Sequence, residues 1–159
     1  MPTGTVRLLV RDVAGLATGH DYVCWAIQAL SEGYDSPSLR RLVSSDGDDV
    51  PRASECAATL VGVLAELGIT RPDNGALVRD YVREVAREIL AGSIAPQAGA
   101  DRIHNEVVSA FSHPRDLQAW CYLSEGVNPG DMRSLSGDAL DEAIRKTAQV
   151  WIASDREHK

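Results

Sequence analysis

The chain has 159 residues, which is enough for about one domain with a sizeable core. Hydrophobic residues make up 44% and charged residues 25% of the chain, a balance that excludes an intrinsically disordered protein. The formal net charge of −7 disfavours general binding of nucleic acid, since phosphate groups need a basic face.

The first predicted element is a helix near the amino terminus. The run VRLLV, from Val6 to Val10, has the composition of a strand, but apolar residues continue at helical spacing through Val13 and Leu16. The amino terminus lacks the long apolar core of a signal peptide, and no later stretch approaches a membrane span. We therefore expect a cytoplasmic protein without a membrane partner.

A second helix is predicted in the run HDYVCWAIQALSEG, and Gly33 followed by Tyr34 predicts its end. Its apolar pattern predicts that the helix is largely buried. The apolar residues at helical spacing are Val23, Ala26, Ile27 and Leu30, widened by Tyr22, Trp25 and Ala29. Cys24 lies within this pattern and, like the other two cysteines, is expected to be an inert buried thiol.

The run EGYDSPSLRRL, from Glu32 to Leu42, carries acidic, serine and arginine residues that would form either a working site or only a connection between helices. Ser36 stands directly before Pro37, which is the pattern of an N-cap hydroxyl before a proline in the first helical position. We interpret the run as a joint followed by a short helix.

An acidic turn with Asp46, Asp48 and Asp49 comes next. A calcium loop that begins at Asp46 would place Pro51 where a glycine is needed and Ala57 where a glutamate is needed. We therefore expect a solvated turn before a helix that starts at Pro51. That helix is predicted to end at Gly68 and to bury Cys56, Leu60, Leu64 and Leu67.

The clearest helical pattern is ALVRDYVREVAREIL, in which apolar pairs recur every four residues. The pairs are Leu77/Val78, Tyr81/Val82, Val85/Ala86 and Ile89/Leu90. Between them, Asp80 is expected to pair with Arg83 and Glu84 with Arg87, each pair contributing about 0.2 to 0.5 kcal/mol. This favours a solvated face over an arginine docking stripe formed by Arg79, Arg83 and Arg87.

After Gly92 we expect the turn SIAPQAG and then a helix in ADRIHNEVVSAF. The inward residues of that helix are predicted to be Ala100, Ile103, Val107, Ala110 and Phe111. Pro114 is predicted to start a further helix with Leu117, Trp120 and Cys121 inward.

The run from Glu125 to Asp138 is predicted to be the longest and most mobile loop, since it has turn residues and little periodicity. A final helix capped by Ser136 follows it, and residues 155–159 should form a frayed tail. One side of that helix should carry Leu140, Ile144, Thr147, Trp151 and Ile152.

These patterns predict an all-α fold. With no alternating strand runs and no repeat of fixed period, we expect one domain over residues 1–154 with seven to eight helices. The helices are expected to form an irregular antiparallel bundle or a stack of helix pairs.

Most enzyme signatures are missing: the phosphate-binding loop, the dinucleotide glycine fingerprint, the nucleophile elbow and the zinc helix HExxH. His20 and Cys24 share a helix face at i,i+4 and would supply two metal ligands or a thiol with its base. No spacing supports a third ligand from His104, His113, Cys56 or Cys121. We therefore expect no metal, no cofactor and no catalytic residue.

Two stretches, residues 21–42 and residues 87–108 followed by the helix that contains Leu117 and Trp120, resemble segments of small uncharacterised helical proteins of bacteria. Some of those proteins are regarded as immunity-like partners of toxins or as domains of unknown function. The resemblance implies a bacterial, non-enzymatic helical protein and assigns no catalytic residue.

The leading hypothesis is a protein-binding module, immunity-like or regulatory, with a basic protein partner and no nucleic-acid partner. The expected docking surface consists of exposed carboxylates: Asp46, Asp48, Asp49, Glu125, Asp131 and Asp138. The alternative is a small hydrolase or ligand-binding bundle that uses His20, Cys24 or His104. A third hypothesis is a structural subunit that forms a homo-oligomer through an apolar face.

Overall fold

A computed structural model describes residues 1–44, 52–111 and 114–154 of the chain. These residues form eight α-helices and no strand, which confirms the all-α prediction. The helices are α1 Thr5–Val13, α2 Gly19–Ser31, α3 Pro37–Val43, α4 Ala53–Glu66, α5 Asn74–Leu90, α6 Pro96–Ile103, α7 Gln118–Ser124 and α8 Gly137–Ala153. A π-helical segment, His104–Val108, continues α6, and a 3-10 turn, Arg115–Leu117, precedes α7.

Internal contacts divide the chain into two compact units, Met1–Leu77 and Val78–Lys159. The division falls within α5. The expectation of one domain over residues 1–154 stays a prediction, and the tail 155–159 lies outside the described residues. None of the helices in the described part of the chain is long and apolar enough to cross a membrane.

In the first unit, α1 packs on α2, while α2, α3 and α4 pack on one another. The predicted helix at the amino terminus is confirmed, with Val6, Leu9 and Val10 buried. Leu16, which was expected to extend the buried face, lies beyond the end of α1 and is exposed.

A carboxylate joins three parts of this unit. Asp12, in α1, accepts a hydrogen bond from the Tyr22 hydroxyl of α2 at 2.6 Å. It also accepts one from the Arg71 guanidinium at 2.7 Å, across 59 positions of the sequence. Burial and the adjacent Asp12 carboxylate raise the pKa of Tyr22, which keeps this phenol a hydrogen-bond donor.

The inward face of α2 differs from the prediction. Tyr22, Trp25, Ala26 and Ala29 are buried, whereas Ile27 is 52% exposed. The aromatic side is drawn inward because the Tyr22 hydroxyl binds Asp12 and the Trp25 indole N–H donates to the Thr5 hydroxyl at 3.2 Å. The helix is therefore half buried, and its apolar spacing alone did not identify the core side.

The joint between α2 and α3 is confirmed. Gly33 has a φ of 88°, in the left-handed region that favours glycine. The chain reverses there, so that the Tyr34 N–H donates to the Ala29 carbonyl at 3.1 Å. The Ser36 hydroxyl accepts the Leu39 N–H at 3.2 Å at the start of α3.

The last residue of α4, Glu66, strengthens this joint. Its carboxylate accepts the Ser38 N–H at 2.9 Å and the Ser38 hydroxyl at 2.7 Å. Hydrogen bonds from Ser36 and Ser38 hold the pKa of Glu66 below its usual range. The run from Glu32 to Leu42 thus connects α2 to α3, and hydrogen bonds to Glu66 of α4 hold it in place.

The predicted end of α4 at Gly68 is confirmed. Gly68 has a φ of 66°, and the Ile69 N–H binds the Leu64 carbonyl at 2.8 Å. Cys56 and Leu60 are buried as expected. Pro51, the predicted start of the helix, lies outside the described residues.

Most of α5 belongs to the second unit. The predicted apolar pairs of this helix are buried up to Ile89. Leu90, at the end of the helix before Gly92, is exposed instead. The Asp80–Arg83 pair forms at 2.9 Å, but the Glu84–Arg87 pair is not among the ion pairs of the described residues. Burial and the nearby Glu88 raise the pKa of Glu84.

The helix after the turn starts earlier than predicted, because Pro96 occupies the first position of α6. Its Gly99 packs directly against α5, where an added Cβ would lie 2.5 Å from Cγ1 of Ile89. The π-helical segment then changes the register, since one extra residue per turn rotates the residues after it. Glu106 is buried within this segment, and Ala110, which was predicted to point inward, lies in the turn beyond it and is exposed.

In the rest of the unit, α6, α7 and α8 pack on one another. Leu117 and Trp120 are fully buried as predicted, but Cys121 is only partly buried. Ser136 holds the N-cap position of α8 as predicted, but its hydroxyl accepts no capping hydrogen bond from the described residues.

Candidate functional site

The predicted acidic surface falls into two groups. Asp46, Asp48 and Asp49 lie outside the described residues. Glu125, Asp131 and Asp138 are all exposed and belong to the second unit. Asp138 lies in the first turn of α8, since that helix begins at Gly137, and has no ion-pair partner among the described residues.

The chain from Glu125 to Ser136, here called the acidic loop, is held by its own backbone. Val127 and Ser134 form an isolated antiparallel bridge. The Asn128 N–H donates to the Arg133 carbonyl at 2.8 Å, and the Leu135 N–H donates to the Gly126 carbonyl at 2.7 Å. The loop therefore has a defined hairpin-like shape, although the sequence shows no alternation that would predict it.

Met132 stands out at the tip of the acidic loop. It has a φ of 57°, the one positive φ among the described residues that are not glycine. Its N–H binds the Asn128 carbonyl at 2.9 Å, and the residue is 57% exposed. A methionine in the left-handed region is strained, and such strain often occurs at functional positions.

The charges on the loop are partly paired, which corrects the expectation of unpaired carboxylates. Asp131 accepts the Arg133 N–H at 3.2 Å, and its other oxygen lies 3.6 Å from the Arg133 guanidinium. Glu125 accepts a weak hydrogen bond from the Cys121 thiol, with Sγ and Oε1 4.0 Å apart. The exposed Met132 thus has an acidic and a basic neighbour.

A second candidate site lies on α2, where His20 and Cys24 meet as their i,i+4 spacing allows. Both are exposed, and Cys24 Sγ lies 3.2 Å from His20 Nε2. The prediction that Cys24 is buried is therefore wrong. The cause is the rotation of α2, which turns Trp25 inward and Cys24 outward.

The His20–Cys24 pair lies along a surface groove of about 360 Å³ in the first unit. The groove is formed by α1 and α2, and its lining includes Arg7, Arg11, Trp25 and Gln28. Asp21 is not available to orient His20, since it accepts hydrogen bonds from Thr18 and Arg11. The arrangement is thus a thiol with one adjacent base.

The other two cysteines lie in different surroundings. Cys56 is buried, and burial together with the charge of Glu55 raises the pKa of its thiol. Burial and the charge of Glu125 likewise raise the pKa of Cys121. Both environments disfavour the nucleophilic thiolate.

His104 begins the π-helical segment in the second unit, so it does not belong to the same unit as His20 and Cys24. Its Nδ1 is buried and has no hydrogen-bond partner among the described residues. Within the described ranges, no group of three or more histidine, cysteine or acidic side chains is placed to hold a metal ion. His113 lies outside those ranges.

Sequence reasoning missed the buried carboxylate of Glu106. It is 7% exposed and accepts a hydrogen bond from the Tyr81 hydroxyl of α5. The spacing carried a signal, because Glu106 lies three residues after Ile103, on the side of the helix that was predicted to face inward. In the structure Glu106 is within the π-helical segment.

A larger open groove of about 800 Å³ lies between α3 and α4. Its lining includes Ser38, Arg41, Glu55, Cys56 and Thr59. The segment that connects α3 to α4 lies outside the described residues, and the groove has no cluster of catalytic side chains among those that are described.

The chain matches no protein-family model, no curated protein and no solved structure. The resemblance of residues 21–42 and 87–108 to immunity-like helical proteins therefore stays a prediction. Any functional proposal must therefore be argued from the geometry of this chain alone.

Proposed function

We propose that the protein acts in the bacterial cytoplasm by binding a partner protein, as an immunity-like or regulatory module. Met132 is the observation that carries the proposal, since it presents an apolar side chain from the tip of a shaped loop. Apolar anchors surrounded by polar groups are the usual anatomy of protein interfaces, in which methionine is enriched.

The shape of the acidic loop supports this role. Its backbone hydrogen bonds fix the position of Met132 before a partner arrives. Binding then costs less conformational entropy than it would with a loop that orders on contact. The strain at Met132 also favours a role for this position, because an ordinary surface turn would place glycine or asparagine there.

The charge of the protein favours a basic partner, such as a nuclease toxin. The exposed carboxylate of Glu125 begins the loop and that of Asp138 follows it. Asp46, Asp48 and Asp49 are further candidates for electrostatic steering, on the evidence of the sequence alone. Complementary charges raise association rates and are screened by salt. Asp131 contributes less to this field, because Arg133 partly neutralises it.

The proposal is tested by affinity capture from the source organism, followed by binding measurements on the captured partner. Met132→Ala should weaken binding about tenfold or more, as expected for an anchor residue. Val150→Ala is the matched control, because Val150 is also an exposed apolar residue, 62% exposed on α8. Equal losses in both variants would contradict a specific role for Met132.

The electrostatic part is tested by association rates at low and high salt. Asn or Gln at Asp46, Asp48, Asp49, Glu125 and Asp138 should slow association at low salt, whereas Asp116→Asn, an exposed control carboxylate, should not. A partner whose association ignores both salt and these substitutions would contradict steering. A chain that captures no protein and turns over a small-molecule panel would contradict partner binding altogether.

A further inference from the structure

The three cysteines lie in different surroundings, so their thiols are expected to differ in reactivity. Cys56 is buried, Cys121 lies beside the carboxylate of Glu125, and Cys24 is exposed beside the imidazole of His20. A thiol reacts as its thiolate, so a neighbouring base promotes reaction and a neighbouring carboxylate opposes it. Among these residues, Cys24 alone combines access with a base.

The structure of α2 fixes the contact between the two side chains. Thr18 caps the helix, and its hydroxyl and backbone N–H are bound to Asp21 in a reciprocal capping box. This cap sets the first turn, where His20 lies, and Cys24 follows one turn later on the same face. The capped backbone therefore holds His20 and Cys24 on one face of α2, and their Nε2 and Sγ atoms lie 3.2 Å apart.

We propose that Cys24 and His20 form a thiol-exchange site that reacts with small disulfides. His20 Nε2 takes the proton from the Cys24 thiol, and the thiolate attacks one sulfur of the disulfide. A new bond forms between Sγ and that sulfur while the original S–S bond breaks. The other sulfur leaves with the electron pair and takes the proton from the imidazolium, which gives a free small thiol and a mixed disulfide on Cys24.

The surroundings of the pair suit this reaction. The groove of about 360 Å³ beside α2 is open to small molecules. Its lining includes Arg7, Trp25 and Gln28, so polar and apolar side chains both border the thiol. The described residues place no second cysteine next to Cys24, so the expected product is a stable mixed disulfide and not an internal disulfide.

The first experiment compares cysteines within the same protein. Cys56→Ala with Cys121→Ala leaves Cys24, and Cys24→Ala with Cys56→Ala leaves Cys121. At neutral pH, Cys24 should react with dithiobis(nitrobenzoate) and with hydroxyethyl disulfide about 10- to 100-fold faster than Cys121, since positioned acid–base groups contribute about 100-fold or more and an exposed pair retains part of that. Mass spectrometry should find one small thiol attached to Cys24.

The second experiment distinguishes the effect of the His20 imidazole from a general effect of changing a residue of α2. In the variant that retains only Cys24, His20→Gln should slow both reactions about tenfold or more. Ile27→Ala is the matched control and should leave the rates unchanged, since Ile27 is an exposed residue of α2 that does not line the groove. Circular dichroism checks that each variant is folded. The proposal is overturned if Cys24 reacts no faster than Cys121, or if folded His20→Gln reacts as fast as its parent.

Discussion

Glu66 shows how a single exposed side chain fastens two helices. Its carboxylate accepts hydrogen bonds at the first turn of α3 although it belongs to the end of α4. Hydrogen bonds from Ser36 and Ser38 lower its pKa in the folded state. Its contribution to stability is therefore complete above the pKa of an unfolded glutamate, about 4.3, and is lost as the pH falls through the folded value.

We expect Glu66→Gln to lower the thermal midpoint at neutral pH, because the amide is a weaker acceptor for the Ser38 N–H and hydroxyl. The difference from the unmodified protein should shrink as the pH falls through the lowered pKa of the folded Glu66 carboxyl, because the native carboxylate then also becomes protonated. Glu142→Gln, at an exposed position of α8, is the control and should show neither effect. A difference that persists unchanged in acid would contradict this role for the carboxylate.

Ser36 and Ser136 offer a paired test of helix capping. Both occupy N-cap positions, but only the Ser36 hydroxyl accepts a backbone N–H. Ser36→Ala should therefore cost about 0.5 to 2 kcal/mol of unfolding free energy, measured by urea denaturation. Ser136→Ala should cost much less. If the Ser36 variant keeps full stability but loses partner binding, the joint would be a functional site after all.

Residue patterns predicted the ends of elements better than their inward faces. Gly33 and Gly68 correctly marked helix ends, because a left-handed glycine is a local requirement. The i,i+4 spacing also correctly allowed the His20–Cys24 contact. The exposure of Cys24 was not predictable, since it depends on which side of α2 meets α1, α3 and α4.

At the scale of elements, Gly99 sets how closely α5 and α6 approach. The sequence assigned it to a turn, yet it lies within α6 with Ile89 packed over it. A side chain there would collide with Cγ1 and Cδ1 of Ile89, at 2.5 and 2.6 Å from an added Cβ. Close contact of this kind explains why a residue with poor helix propensity lies inside a helix.

Gly99→Ala should consequently destabilise the protein by about 1 to 3 kcal/mol, the usual cost of overpacking. Ile89→Ala removes the colliding atoms, so the double variant should lose less stability than the sum of the two single variants. Urea denaturation of all four proteins measures the coupling. Additive losses would mean that Gly99 does not contact Ile89 in this way.

The π-helical segment limited what could be predicted about the second unit. Regular spacing from Ile103 placed Ala110 inward, but the helical structure ends at Val108 and Ala110 lies exposed in the turn that follows. Glu106, within the segment, is buried beside Tyr81. A π-helical turn is fixed by packing around it, and the sequence carries no local signal for it.

For the whole molecule, the fold class was predictable because every long segment repeats near 3.6 residues. The far-ultraviolet circular dichroism spectrum should accordingly be dominated by helix. A spectrum dominated by β structure would contradict the fold. The division into two compact units was not predicted, since it depends on contacts distant in sequence and the composition shows no linker.

The proposed docking surface was the least predictable feature. Exposure of Glu125, Asp131 and Asp138 followed from their place in a polar segment. The shape of the acidic loop and the conformation of Met132 did not, because backbone hydrogen bonds across the loop, between residues 126–128 and 132–135, create them.

The bonds to Asp12 make the opening of the first unit cooperative. If α1 detached alone, Tyr22 and Arg71 would both lose their acceptor, and the buried phenol would be left without a partner. Amide protons of α1 should therefore exchange with solvent nearly as slowly as those of α4, instead of fraying first as a terminal helix usually does. Asp12→Asn should release α1 selectively, and fast exchange of α1 in the unmodified protein would refute this coupling.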